Sequence, residues 1–151
     1  MKKNKDIIAA LTDAYWKELE TVQNYLANSV NLDGVRAEEI KKALAADVAE
    51  ELTHAQQLAQ RIKVLGGTIP GSKEFKARQK GLQPPADTTD VTSVIVGVLE
   101  AEDDAIDGYN NLIKLCDGHD YVTQDLAITL LADEESHRQQ FSSFLKEYRK
   151  K

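Results

Sequence analysis

Apolar residues recur at alternating steps of three and four through four long stretches of this chain, the spacing of helices that each bury one face. The first seam reads Ile8, Leu11, Tyr15, Val22 and Tyr25. The second reads Ile40, Leu44, Leu58, then Arg61 or Ile62, then Leu65. The third reads Val91, Ile95, Val98, Ala105 or Ile106, Tyr109, Ile113 and Cys116, and the fourth Ala127, Leu130, Phe141, Phe144 and Tyr148. The spacing predicts helices over residues 6–30, 37–65, 90–116 and 120–148, with Thr89 or Asp90 as a cap for the third. No alternating stretch is long enough to suggest a sheet.

The breaks between these helices set the topology. Asn31-Leu32-Asp33-Gly34 and Asp117-Gly118 are short and carry turn formers. They make two antiparallel hairpins. Residues 66–89 hold all three prolines, Pro70, Pro84 and Pro85, together with paired glycines, and can run the length of a bundle. The expectation is an all-α, antiparallel four-helix bundle over residues 1–151, a single domain with one long crossover between its second and third helices.

Composition narrows the chemistry. A formal net charge of −6 and a pI of about 5.1 argue against general nucleic-acid binding and suit a protein that attracts cations. A lone cysteine, Cys116, excludes an intrachain disulfide and a Cys-rich zinc site, and reads as a small buried filler. No signal peptide or membrane span is readable, so a cytoplasmic location is expected by default. The basic ends, Lys2, Lys3 and Lys5, then Lys146, Arg149, Lys150 and Lys151, read as solvated tails.

Each apolar seam is interrupted by a carboxylate near its middle. Glu18 takes a core position in the first helix, Glu51 in the second, Glu102 in the third and Glu134 in the fourth. Glu20, Glu100, Asp103, Asp104 and Glu135 fall off the seams. The second helix of each hairpin also places a histidine three residues on: Glu51-Leu52-Thr53-His54 and Glu134-Glu135-Ser136-His137. Residues three apart share a helix face. One such pair alone reads as a surface ion pair. Two, facing inward opposite Glu18 and Glu102, favour a metal centre. Four buried carboxylates at one level would repel and lose hydration. Two divalent cations would match their charge, and two neutral imidazoles would complete the set. Asp47 also lies on the seam, either beside the ligands or at a subunit interface. His119 reads as a cap or surface residue, Trp16 as core edge or interface, and Tyr15 and Tyr109 as core.

One Glu from each of two helices plus a Glu-x-x-His from each of the other two resembles the ferritin-like di-iron carboxylate pattern. Glu18-Leu19 with Val22 and Tyr25, Glu51 to His54-Ala55, His119-Asp120-Tyr121-Val122, and Leu131-Ala132-Asp133-Glu134-Glu135-Ser136-His137 sharpen the resemblance to bacterioferritins over nearly the whole chain. Glu102 aligns only with a small gap before the last turn.

The resemblance implies two iron ions per subunit, with manganese or zinc as substitutes. Glu51 and Glu134 would bridge them, Glu18 with His54 completing one position and Glu102 with His137 the other. Bridged metals lie ~3.5–4 Å apart. The implied activity is oxidation of Fe²⁺ to Fe³⁺ by O₂ or peroxide, for iron storage and detoxification. Tyr25 is implied as an auxiliary that hydrogen-bonds a ligand or relays an electron.

Three departures follow from the same resemblance. The haem methionine of bacterioferritins falls at Leu52, and the only methionine is Met1, so no haem is expected. The sequence ends soon after the fourth helix, without the short fifth helix of large ferritin shells, which weighs against the 24-subunit cage; a homo-oligomer is expected, with its subunit number open between a dimer, a 12-mer and a 24-mer. Ala46 stands where some bacterioferritins carry an inner-surface histidine, so an auxiliary iron site is expected to be missing. Neither a membrane nor a nucleic-acid partner is expected; the miniferritins that bind DNA build their iron site between subunits. A di-iron oxidase or peroxidase of the rubrerythrin kind, without mineral storage, is the alternative. It ranks lower because no Cys-x-x-Cys module is present. A non-enzymatic helical module is the third reading.

Overall fold

The computed structural model describes residues 2–149; Met1 and the tail residues Lys150 and Lys151 lie outside the described residues. Four helices account for most of the chain: α1 (Lys2–Asn31), α2 (Glu38–Val64), α3 (Val91–Cys116) and α4 (Tyr121–Tyr148). Two single turns of 3₁₀ helix, Val35–Ala37 and Ser72–Glu74, sit in the connections. No strand occurs among the described residues. α1 pairs with α2, α3 pairs with α4, and the two hairpins join into an all-α four-helix bundle. Among the described residues, no helix is long and apolar enough to cross a membrane.

The helix ends follow local chemistry. α1 starts at Lys2, four residues before the expected start, because no proline or glycine in Lys2–Asn4–Lys5 stops it. Asp90 caps α3 by accepting the Ser93 N–H at 3.1 Å, and Asp120 caps α4 by accepting that of Thr123 at 3.0 Å. Gly66 (φ 87°) ends α2 and Gly118 (φ 71°) turns the chain from α3 into α4, left-handed conformations that a side chain would strain.

Two apolar clusters fill the bundle. One gathers Tyr25, Leu44, Ile95 and Phe141 at one end; the other gathers Leu11, Leu58, Ile62, Leu112, Cys116 and Leu130 at the other. The interrupting carboxylates lie between them. The seams drift from the expected registers: Ile7 rather than Ile8 is the fully buried residue, and Val22, Phe144 and Tyr148 are only half-buried. A straight helix of 3.6 residues per turn slides off a strict three-four repeat over this length.

The crossover gives α1 a second buried face. Both carboxylate oxygens of Glu20 accept the Arg78 N–H at 2.9 Å, and one accepts the Gln79 N–H at 2.8 Å. The Asn28 amide donates to the Leu82 carbonyl at 2.9 Å, and Trp16 packs on Phe75 with centroids 5.1 Å apart. Glu20 is off the inward seam, as its position predicts, yet it is buried, because extended chain covers it. Trp16 is core edge under that chain. The crossover passes α3 so closely at Gly97 that a Cβ there would stand 2.2 Å from the Gly81 carbonyl oxygen.

Candidate metal centre

All six residues singled out in the sequence lie at one level between the apolar clusters and are at most 5% exposed. Their ligand-type atoms form two groups, each within 4.8 Å: Glu18, Glu51, His54 and Glu134, and Glu51, Glu102, Glu134 and His137. Glu51 and Glu134 belong to both and stand in the middle. One imidazole flanks each side, with ring centroids 6.4 Å apart. His54 Nδ1 donates to Glu134 Oε1 at 3.0 Å and lies 3.5 Å from oxygens of Glu18 and Glu51. His137 Nδ1 lies 3.0 Å from Glu51 Oε1, 3.6 Å from Glu102 and 3.7 Å from Glu134.

The electrostatics show how unbalanced these side chains are alone. Burial alone would lower the His54 pKa, but the carboxylates of Glu134 and Glu51 push it up to about 10. Burial works the same way on His137, and Glu102, Glu134 and Glu51 hold it well above the usual range. Burial, then the neighbouring Glu134, raises Glu102 to about 8. Even so, Glu18 Oε2, Glu51 Oε1, Glu102 Oε2 and His137 Nδ1 are buried without a hydrogen-bond partner. Buried orphans of this kind are costly and cluster where an ion belongs. Four carboxylates and two imidazoles, with free donor atoms in both groups, fit a pair of divalent cations.

A surrounding layer holds these side chains in place. The far nitrogen of each histidine donates to a half-exposed carboxylate from the opposite hairpin: His54 Nε2 to Asp133 at 3.0 Å, and His137 Nε2 to Glu50 at 2.8 Å. Such partners fix imidazole orientation and leave Nδ1 facing inward. Asp47 is buried 3.5 Å from His137 Nε2, so it neighbours the candidate ligands, and burial lifts its carboxyl to about 6. Tyr25 donates its hydroxyl to Glu102 Oε1 at 2.5 Å, and Tyr109 donates to Glu18 Oε1 at 2.6 Å. His119 is exposed in the α3–α4 turn, and Cys116 is fully buried in the apolar cluster.

Seam spacing alone passes over Glu50 and Asp133 and reads Tyr109 only as core. A signal for them exists in the repetition: an acidic residue directly precedes each Glu-x-x-His, and a tyrosine follows each single glutamate by seven residues. A cleft of about 180 Å³ between α1 and α3, lined by Ala10, Ala14, Ala105 and Gly108, reaches inward to Glu18 and Tyr109.

Comparison with known proteins agrees with this architecture. The ferritin-like domain profile matches residues 8–151. A bacterial ferritin from Neisseria meningitidis serogroup B is 30% identical over 139 residues, covering 91% of this chain and 84% of that protein. A dodecameric thioferritin, the bacterioferritin-related protein of Bacteroides fragilis, superposes with a TM-score of 0.89 at 28% identity, covering 96% of this chain and 87% of that one. The Desulfovibrio desulfuricans bacterioferritin, whose crystals captured its diiron site in different catalytic states, superposes with a TM-score of 0.81 at 25% identity, over 96% of this chain and 81% of that one.

Proposed function

Because the chain belongs to the ferritin-like domain family, we propose that it takes up two ferrous ions at its intrasubunit centre and oxidises them to ferric iron with O₂ or peroxide, for iron storage and detoxification. The observation that carries this is the shared pair: Glu51 and Glu134 belong to both ligand groups, so one buried site can hold two cations side by side. Adjacent ferrous ions deliver two electrons together, which avoids one-electron oxygen radicals.

The protein's own residues do the rest. Glu51 and Glu134 would serve both metal positions. Glu18 with His54 and Glu102 with His137 would complete them, and Tyr25 would steady Glu102. The carboxylates supply four negative charges against the four positive charges of two divalent ions. His54 and His137 must give up their protons to ligate, so uptake releases protons. The cleft between α1 and α3 offers the oxidant a route to Glu18. The dodecameric Bacteroides fragilis neighbour supports a homo-oligomer here, one that would enclose the ferric product.

Anaerobic titration of the metal-stripped protein with Fe²⁺, followed by air, tests the proposal. Saturation at about two irons per chain and then a rapid near-ultraviolet ferric signal are expected. An absence of stoichiometric binding would overturn it and leave a helical bundle with a carboxylate cluster.

A further inference from the structure

The two halves of the bundle treat their single glutamates identically. Glu18 and Tyr25 lie seven residues apart on α1; Glu102 and Tyr109 lie seven apart on α3. Seven residues are nearly two turns, so each pair shares a helix face. The hydrogen bonds then cross: the α1 tyrosine serves the α3 glutamate, and the α3 tyrosine serves the α1 glutamate. In both cases the phenol occupies Oε1 while Oε2 is left buried and unpartnered.

We propose that Tyr109 is a positioning residue for Glu18, the counterpart of Tyr25 at Glu102, so that each metal position has a carboxylate held by a phenol on one oxygen and free on the other. This rests on the metal-centre reading above. A tyrosine kept only for packing would have no reason to place its hydroxyl among carboxylates. Phenylalanine would fill the same space without a polar atom to desolvate. Tyr109 is 2% exposed and its hydroxyl donates to the one oxygen of Glu18 that does not face His54. Restraining one oxygen limits the carboxylate to a single orientation, which lowers the ordering cost when a cation is bound.

The test uses Co²⁺ alone as an anaerobic probe, read by its visible absorption bands and by stoichiometry. Wild-type protein should bind about two equivalents, and Tyr109→Phe should weaken one of them roughly tenfold, with altered bands, at an unchanged helical signal. The loss should vanish when Glu18→Gln is already present, and persist in a Glu102→Gln background. Tyr25→Phe should show the reverse dependence. Two equivalents bound by Tyr109→Phe with wild-type affinity and spectrum would overturn the proposal while leaving the metal centre standing. Equal losses in both glutamine backgrounds would also overturn it, because Tyr109 would then act through packing. Failure of the wild-type protein itself to bind Co²⁺ would instead sink the metal-centre reading.

Discussion

Glu51 and Glu134 each occupy a position where a bundle expects an apolar side chain, and each faces both ligand groups. Replacing either by alanine should remove rapid Fe²⁺ oxidation, on the order of a hundredfold or more, because both metal positions lose a donor at once. The metal-free bundle should stay folded but melt somewhat lower, since each carboxylate is also the close partner of a buried histidine, Glu134 of His54 and Glu51 of His137. Stopped-flow oxidation and a thermal melt on the same samples check both halves; normal oxidation by both variants would refute the assignment. These residues could be read from the sequence because a carboxylate interrupting an apolar seam is conspicuous. Tyr109 could not be read the same way. An aromatic on an apolar seam looks like core, and only its hydroxyl's partner, 91 residues earlier in the chain, shows otherwise. Glu50 and Asp133 are half-exposed and lie off the seam, so periodicity has nothing to say about them.

At the scale of elements, the helices were legible because their periodicity is repeated through many turns. Both short turns and the Asp90 cap also fall where the local residues predict them. The docking of the crossover was not legible. It has no period, and it covers α1 through backbone N–H groups that donate to Glu20 and the Leu82 carbonyl that accepts from the Asn28 amide, contacts that depend on path rather than pattern. The α1–α3 contact has a further consequence. Ala14, Ala105 and Gly108 are small, and the cleft they leave reaches Glu18. A Cβ at Gly108 would meet only the Lys17 ammonium, at 3.4 Å, so the helix has room there for a side chain directed into the cleft that Gly108 lines. Gly108→Leu should therefore slow oxidation several-fold while anaerobic Fe²⁺ binding keeps its stoichiometry. Oxidation at the wild-type rate with a well-folded variant would show that the oxidant enters elsewhere.

At the scale of the whole molecule, a band of charge sits between two apolar clusters, and its protonation ties the stability of the bundle to pH and to metal. The His54 pKa is near 10 in the fold against 6.5 in the unfolded chain, so its contribution is complete below 6.5 and is lost as pH rises through 10. Glu102 is raised from 4.5 to about 8; it is ionised in the unfolded chain but held neutral in the fold, so it too costs stability between those values as pH rises. Both effects have one sign: the metal-free protein should become less stable from about pH 6 to about pH 8. Metal binding runs the other way, because imidazole and carboxylate must be deprotonated to ligate. Cations that bind the fold and not the unfolded chain raise its stability with concentration over Kd, and the apparent Kd falls as those protons leave. The gap in melting temperature between Co²⁺-loaded and metal-stripped protein should therefore widen from about pH 6 to about pH 8, with about three protons released per chain on loading at neutral pH, from His54, His137 and Glu102. Differential scanning calorimetry at the two pH values, with proton release followed in weakly buffered solution, measures both. A gap that narrows with pH, or loading without proton release, would mean that these side chains do not hold the metal.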